Sequence, residues 1–343
     1  MLTKESQSLI DSFLGKTDIE SFLKDSSLKL FYHSLSKNSY KTSKVKITHG
    51  TKLFPQSNFL ANSLSKKIQK RQNVLTMKWT IFSKYNIHCI LHIYLKENEK
   101  FPDTELLMRA ISFITSFSDK ERKFNIHLCL LPDKKSLRKN QKTITKLNVN
   151  SGSCLHHNDS KSEILVWRKE ECIKVLFHEC IHGLQFSKLD SDKLITEKLC
   201  QKYNLLSKNI LIDESYTEIW AKIMNCYFIS SITNSDNKFQ HFCTMLSLEQ
   251  EFSIYQANKI KQFVKKSKDK NLDKDTNVSA YFLVVGEIFS HLNDFLKLFP
   301  YPYQNKKKCL EFIYHLNIVK KRKISMNDKF YNSMRMTIIE LKL

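Results

Sequence analysis

The residues best suited to chemistry are two histidines with a glutamate between them. His178, Glu179 and His182 form the pattern His-Glu-x-x-His within residues 174–183. On an α-helix, residues four apart lie on one face, so both imidazoles reach one metal ion and Glu179 lies beside it. Neutral imidazoles are good zinc ligands, and the adjacent carboxylate can take the proton of a water molecule that the metal activates. The spacing therefore predicts a hydrolytic zinc site.

The flanking sequence predicts the helix that this site needs. The stretch from Arg168 to Phe186 contains no proline, and its only glycine is Gly183. Apolar residues recur at helical spacing on one side, beside a stripe that holds the histidines and the glutamate. The apolar positions are Ile173, Leu176, Phe177, Cys180 and Leu184. The alternative is a buried structural helix whose histidines hydrogen-bond to other groups.

A site with two histidines needs a third protein ligand, and a second predicted helix at residues 211–221 offers one. Glu214 and Glu218 are four apart and share a helical face. Glu214 is the predicted third ligand. Glu218 is predicted to accept a ring N–H from a zinc-binding histidine, which would orient that ring. The alternative is a solvated acidic helix start, since acidic residues are favourable in the first turn.

His-Glu-x-x-His followed by Glu-x-x-x-Glu resembles the gluzincin group of zinc metallopeptidases, to which thermolysin belongs. The resemblance implies an endopeptidase that uses Zn²⁺, with His178, His182 and Glu214 as ligands. It also implies that Glu179 is the general base and that the Glu218 carboxylate hydrogen-bonds to one of the histidine ligands. No tyrosine or histidine after Glu214 can be matched to the family's transition-state stabilisers.

The spacing of the ligands differs from thermolysin. Here 31 residues separate His182 from Glu214, which is longer than in that enzyme and predicts an insert over the cleft at residues 183–213. Residues 125–225 also resemble predicted metallopeptidases of large DNA viruses. That resemblance rests on Asn148, Ser151, Gly152 and the segment Arg168-Lys-Glu-Glu before the motif.

Two other functions stay open. Basic, DNA-associated proteases of the SprT group carry His-Glu-x-x-His with a histidine as third ligand, and His241 would then replace Glu214. The chain could instead be a catalytically inactive, basic nucleic-acid-binding or virion protein.

Segments with alternating polar and apolar residues predict strands ahead of the motif. The predicted order is strand, strand, helix, strand, strand, active-site helix, which indicates an α+β fold with a small, mixed, zincin-like sheet. The strands are expected at Val74–Phe82, Asn86–Leu95, Asn125–Leu131 and Glu163–Trp167, and the helix at Asp103–Phe117. Either Leu147–Ser153 or Glu163–Trp167 is predicted to be the edge strand that aligns an extended peptide substrate.

The domain organisation is predicted as three consecutive segments. These are a helical segment with a basic linker at 1–50, the α+β subdomain at 51–190, and a mostly helical subdomain with the glutamate helix at 191–343. Further helices are expected at Lys4–Leu14, Asp18–Ser36, Gln240–Lys265, Ser279–Leu298, Lys306–Lys321 and Asn327–Leu341. Polar composition predicts linkers at Lys37–Gly50 and Lys265–Asn277.

Other histidines are expected to pack or to lie on the surface. His88, His92 and His127 fall in predicted strands, without a carboxylate or cysteine at ligand spacing. His156 and His157 are expected in a loop.

The charge indicates an acidic partner, which could be nucleic acid, an anionic membrane surface or an acidic protein. Lysine and arginine number 56 against 34 acidic residues, for a formal charge of +22. A basic surface attracts polyanions. A lysine-rich composition that serves only to solvate the surface is the alternative. The basic clusters are Lys66, Lys67, Lys70 and Arg71; Lys134, Lys135, Arg138, Lys139 and Lys142; and 306–308 with 320–323.

The cysteines predict a reducing, intracellular compartment. There are nine, an odd number, and no pair has C-x-x-C spacing. With the viral resemblance, that compartment would be the cytoplasm or nucleus of an infected cell, or the virion. No signal peptide and no membrane span are predicted.

Overall fold

The computed structural model describes residues 2–138, 141–186, 193–205, 210–233, 235–266, 272, 276–298, 306–316, 324–325 and 327–343. The chain forms two compact units, each made of separate stretches of sequence. The helical unit comprises Met1–Leu35, Lys135–Val149 and Ser187–Ile339; the sheet unit comprises Ser36–Lys134, Asn150–Phe186 and Glu340–Leu343. The sequence predicted consecutive segments instead.

The sheet unit contains a mixed sheet of seven strands. They are β1 (Lys41–Thr42), β2 (Lys46–Thr51), β3 (Asn73–Phe82), β4 (Asn86–Leu95), β5 (Arg122–Leu131), β6 (Gly152–Asn158) and β7 (Lys161–Arg168). Their order is β1-β3-β4-β5-β7-β6, and β2 also pairs with β3. The pairs β4–β5 and β5–β7 are parallel, and the other pairs are antiparallel. The predicted α+β class with a small mixed sheet is confirmed.

Helices cover one face of this sheet, because alternate side chains of each strand are apolar and point to that side. On this face Trp79 of β3 donates its indole N–H to Ser112 of α5 (Thr104–Thr115), at 3.0 Å. Ser162 of β7 donates its hydroxyl to the backbone oxygen of Gly183, at 3.1 Å, at the end of α7 (Cys172–Gly183). The helix with the histidine motif therefore packs directly on the sheet. A short helix, α4 (Asn62–Ile68), precedes β3.

Two predictions about extended segments were wrong. Lys37–Gly50 is not a linker, because it contains β1 and most of β2, which pair with β3. Every residue of β2 is exposed, so this strand has the polar composition that is typical of a linker. The second prediction concerns the edge strand of the sheet. The terminal strand beside α7 is β6, and the predicted edge segment Leu147–Ser153 shares only two residues with it. The other candidate, Glu163–Trp167, lies inside the sheet between β5 and β6.

The helical unit is built around two long helices. It contains α1 (Lys4–Phe13), α2 (Ile19–Lys24), α3 (Ser26–Ser36), α6 (Lys146–Val149), α8 (Lys193–Tyr203), α9 (Ile212–Ile232), α10 (Lys238–Lys266), α11 (Val285–Ser290), α12 (Leu292–Leu298) and α13 (Lys306–His315). A 3-10 turn spans Leu14–Lys16 and a π-helical turn spans Ser279–Val284. Trp220 of α9 is fully buried and packs against Phe31 of α3, with ring centroids 6.0 Å apart. Among the described helices, none combines the length and apolarity needed to cross a bilayer.

The predicted N-terminal helix Asp18–Ser36 is interrupted at Asp25. The Asp25 carboxylate accepts hydrogen bonds from the backbone N–H groups of Ser27 and Leu28, at 2.8 and 3.1 Å. An aspartate that satisfies free N–H groups in this way starts a new helix. The helix predicted at Gln240–Lys265 is confirmed as α10, and the region Ser279–Leu298 is helical in three pieces.

The helix predicted at Asn327–Leu341 was wrong, because this segment has an irregular backbone. Side chains of α10 satisfy its polar groups instead. The Glu249 carboxylate accepts the Thr337 hydroxyl at 2.6 Å and the Ile338 N–H at 3.1 Å. Gln256 donates to the Arg335 oxygen at 2.5 Å. Most of the predicted linker 265–277 and residues 317–321 of the predicted helix 306–321 lie outside the described residues.

Candidate metal centre

Helix α7, which carries the motif, is held at both ends by buried groups. The backbone N–H of Glu171, whose φ of 59° is left-handed, donates to the Glu340 carboxylate at 3.1 Å. At the other end the Arg122 guanidinium donates to the backbone oxygens of Gly183 at 3.2 Å and Leu184 at 2.7 Å. A cation that binds the last carbonyl groups stabilises a helix end. The helix is thus fixed about two turns before His178 and directly after His182.

This helix is shorter and more buried than predicted. It spans Cys172–Gly183, and Arg168 ends strand β7 instead of starting the helix. His178 and Glu179 are each 6% exposed, while His182 is half-buried. The stripe that carries the chemistry is therefore itself largely withdrawn from solvent.

The two histidines direct their Nε2 atoms toward one point. These atoms are 3.2 Å apart, and the ring planes are inclined by 69°. Two nitrogens that bind one tetrahedral zinc ion at about 2.0–2.1 Å lie about 3.3 Å from each other. The separation of the histidine nitrogens therefore fits a shared metal ion.

Glu179 lies against the backbone of the edge strand at Gly152. A Cβ atom added to Gly152 would lie 2.6 Å from Oε1 of Glu179 and 2.9 Å from its Cγ. It would also lie 2.9 Å from a methyl group of Val175, one turn earlier in α7. A side chain at position 152 would therefore require Glu179 and Val175 to move.

Glu214 lies in the first turn of α9 and is half-buried. Among the described residues, one group of three side chains could hold a metal ion, and it consists of His178, His182 and Glu214. One ligand atom from each residue lies within 4.8 Å of the others. These are the three residues that the sequence predicted as ligands, and zinc binding by them stays a prediction.

Tyr281 is a site residue that the sequence did not reveal. Its phenol donates to Oε2 of Glu214 at 2.9 Å and receives a hydrogen bond from the Asn277 amide at 3.3 Å. Tyr281 lies in the π-helical turn Ser279–Val284, and such turns are frequent at functional sites. The sequence places Tyr281 in an apolar run, and no pattern there signals a contact with Glu214.

The structure gives the positions of Glu218 and His241, and their predicted roles stay predictions. Glu218 is fully buried on α9, and its hydrogen bond to a ligating histidine stays a prediction. His241, the alternative third ligand, lies on α10 and is not a member of the group of three. Burial lowers the pKa of His241.

Two of the strand histidines, His92 and His127, are buried, and His88 is exposed. His92 and His127 are neighbours in register on β4 and β5, with ring centroids 4.8 Å apart, and both are buried. Burial, together with the Lys52 ammonium 3.3 Å from Nε2, lowers the pKa of His92 to about 4. Burial also lowers the pKa of His127 to about 3. The loop predicted for His156 and His157 was wrong, because both lie in β6.

Three residues of the predicted basic clusters either form an ion pair with an acidic residue or are buried. Lys67 forms an ion pair with Asp133, and buried Arg71 forms one with Glu99. Lys135 is 1% exposed. The side chains of residues 139, 306–308 and 320–323 lie outside the described residues.

Comparisons with known proteins give one distant relative. No family model matches the chain, and no solved structure matches it. The chain is similar to "Uncharacterized protein R210" of Acanthamoeba polyphaga mimivirus, with 27% identity over 107 residues. The match covers 29% of this chain and 26% of that protein, so the chain spans about a quarter of its relative's length. The name of this relative states no activity.

Proposed function

We propose that this chain is a zinc-dependent endopeptidase of the gluzincin type. The observation that carries the proposal is the group His178, His182 and Glu214, whose ligand atoms lie within 4.8 Å of one another. The mimivirus relative supports a viral origin.

The donor atoms suit zinc better than a hard cation. Two imidazoles and one carboxylate are the ligand set of hydrolytic zinc sites, and three protein ligands leave a coordination position for water or substrate. Calcium and magnesium prefer oxygen ligands alone. A bound zinc ion would supply Lewis acidity, which lowers the pKa of water and polarises a carbonyl group.

Glu179 is proposed as the general base. It is next to His178 in sequence, and Gly152 allows its carboxylate to lie against the edge strand. In the reaction this carboxylate would take a proton from the attacking water and then deliver it to the nitrogen of the leaving amine. Tyr281 would hold Glu214 through its hydrogen bond of 2.9 Å, and so position that ligand. Glu218 is proposed to orient one of the histidine ligands by accepting a hydrogen bond from the ring nitrogen that does not bind the metal.

The substrate is proposed to be an extended protein or peptide segment that pairs with β6. This strand bonds to β7 on one side and is the terminal strand of the sheet at that edge. An edge strand offers unpaired backbone groups to an added strand, which gives affinity with little dependence on side chains. The closeness of Gly152 to Glu179 would place the paired peptide beside the general base.

Two broader features belong to the same proposal. The charge of +22 is proposed to attract an acidic partner, either nucleic acid or an acidic protein. A reducing compartment, in an infected cell or a virion, is proposed because all nine cysteines are free thiols and eight are buried.

The proposal is tested by metal analysis and cleavage of an unfolded protein such as casein. We expect one zinc ion per chain in the wild type, and retained zinc with cleavage slowed about 10²–10⁴-fold in Glu179→Gln. Glu105→Gln, an exposed glutamate on α5, is the matched control and should keep both properties. Wild-type protein that binds no zinc would overturn the metal site. Zinc without cleavage that depends on Glu179 would leave a metal-binding protein that is not a peptidase.

The identity of the third ligand is tested separately. We expect Glu214→Ala to lose zinc and His241→Ala to retain it, because His241 does not belong to the group of potential ligands. The reverse result would favour a protease of the SprT type.

A further inference from the structure

The face of the sheet that points away from α5 and α7 carries exposed lysines on strands β2, β3, β5 and β7. Alternation along the strands places Lys78, His88, Lys123 and Lys161 on this face, because their neighbours Trp79 and Ser162 point to the helices. All four of these residues are exposed. We refer to this side as the outer face.

Two pairs of lysines on the outer face lie directly opposite each other. Lys46 of β2 is the register partner of Lys78 on β3, and Lys123 of β5 is the partner of Lys161 on β7. Like charges that face each other across a pair of strands are destabilising. None of these four lysines forms an ion pair with another described residue. Within the described part of the chain, no ion pair therefore neutralises either lysine pair.

Polar side chains that can donate hydrogen bonds lie on the same strands as the lysine pairs and on β4. Thr80 and His88 contact each other at 3.1 Å, and His88 is the register partner of Lys123. Asn125 lies two residues after Lys123 on the same strand and contacts Glu163. Glu163 is the only acidic residue among the outward-facing positions of β2, β3, β4, β5 and β7. From β2 to β7 the face spans four strand spacings, or about 19 Å.

We propose that the outer face binds the phosphate backbone of a nucleic acid. Lysine, threonine, asparagine and related side chains supply most protein contacts to phosphates, and these contacts carry no sequence information. Lysine is depleted where proteins bind other proteins, which favours nucleic acid over an acidic protein. A phosphate placed between Lys123 and Lys161, or between Lys46 and Lys78, relieves the repulsion within that pair. The proposal rests on the acidic partner proposed above and is independent of the peptidase activity.

The test is the salt dependence of binding to short, fluorescently labelled oligonucleotides of mixed sequence, measured by anisotropy on the full chain. The apparent affinity should fall as salt rises, with a log–log slope of about −0.7 per lysine engaged on single strands and −0.9 on duplex DNA. Comparison of the two forms identifies which nucleic acid is bound. In Lys123→Gln/Lys161→Gln the slope should become shallower by about 1.4 on single strands or 1.8 on duplexes.

The matched control neutralises two exposed lysines on helices, Lys29→Gln/Lys265→Gln, and changes the net charge equally. This control should keep the wild-type slope. Equal effects of the two double variants would overturn the outer face as the binding site and leave only a general attraction to the basic chain. Polyglutamate that competes as well as the oligonucleotide, at equal concentration of charge, would overturn nucleic acid as the partner. Zinc content and casein cleavage should be the same in both double variants, so a failure here is separate from a failure of the peptidase proposal.

Discussion

The Cα atom of Gly152, on the edge strand, lies so close to the Glu179 carboxylate that an added methyl group would be 2.6 Å from Oε1. Strand and helix meet here with no space for a side chain. Gly152→Ala should therefore displace the proposed general base. We expect about a hundredfold lower kcat for casein cleavage, because a misplacement of about 1 Å costs this much in catalysis. Ser153→Ala, one residue later, is the control and should cleave at the wild-type rate. Equal kcat for Gly152→Ala and wild type would show that Glu179 does not need this position.

Tyr281→Phe should weaken zinc binding without loss of the fold. The substitution removes the phenol that donates to Glu214 at 2.9 Å, while the ring is retained. Removal of a hydrogen bond to a metal ligand typically costs 10–100-fold in metal affinity. Competition with a chromogenic zinc chelator measures this change. Tyr314→Phe, which removes an exposed phenol on α13, should keep the wild-type affinity. An unchanged zinc affinity in Tyr281→Phe would remove Tyr281 from the site.

Arg122→Met should destabilise the end of α7. The Arg122 guanidinium is buried and donates to the oxygens of Gly183 and Leu184 at the C-terminus of this helix. Because hydrogen bonds from a charged group to buried carbonyl groups are lost, we expect about 3 kcal/mol less free energy of unfolding. Urea unfolding measures this loss. Arg138→Met, at an exposed position, should change the free energy of unfolding by less than about 0.5 kcal/mol. Equal midpoints for the two variants would contradict the prediction.

Protonation of His92 should destabilise the protein in mild acid. Its pKa is lowered from 6.5 to about 4 by burial and by Lys52, so the unfolded chain takes up this proton first as the pH falls. The stability that the neutral ring contributes is complete above pH 6.5. It is lost between pH 6.5 and 4, at up to about 1.4 kcal/mol per pH unit.

Urea unfolding of His92→Asn over the same pH range tests this prediction. The variant should lose that part of the pH dependence, since asparagine does not titrate. His88→Asn, at an exposed position four residues earlier on the same strand, should keep the wild-type dependence. A His92→Asn profile parallel to the wild-type profile would contradict the assignment to His92.

Local spacing was enough to predict much of the fold. The strands β3 and β4 and the helix α5 begin and end within one or two residues of their predicted bounds. Their apolar residues recur every two residues in a strand and every 3.6 residues in a helix, so neighbouring positions in the sequence are enough to predict them. The shared face of His178 and His182 follows from the same rule. Predictions were wrong where contacts with distant parts of the chain, and not the local sequence pattern, determine the backbone conformation. The exposed strand β2 has the composition of a linker, and the segment 327–341 has its polar groups satisfied by α10 instead of by its own backbone.

The sequence by itself determined the pair of histidines with Glu179, and named Glu214 as a candidate third ligand. Only the tertiary structure decided which residues surround them. Gly152 against Glu179, Tyr281 on Glu214 and Arg122 on the end of α7 join positions 27, 67 and 62 residues apart. The lysine pairs of the outer face likewise come from different strands. Such contacts depend on strand order and on the path of the chain between elements, and no periodicity within a single segment encodes them.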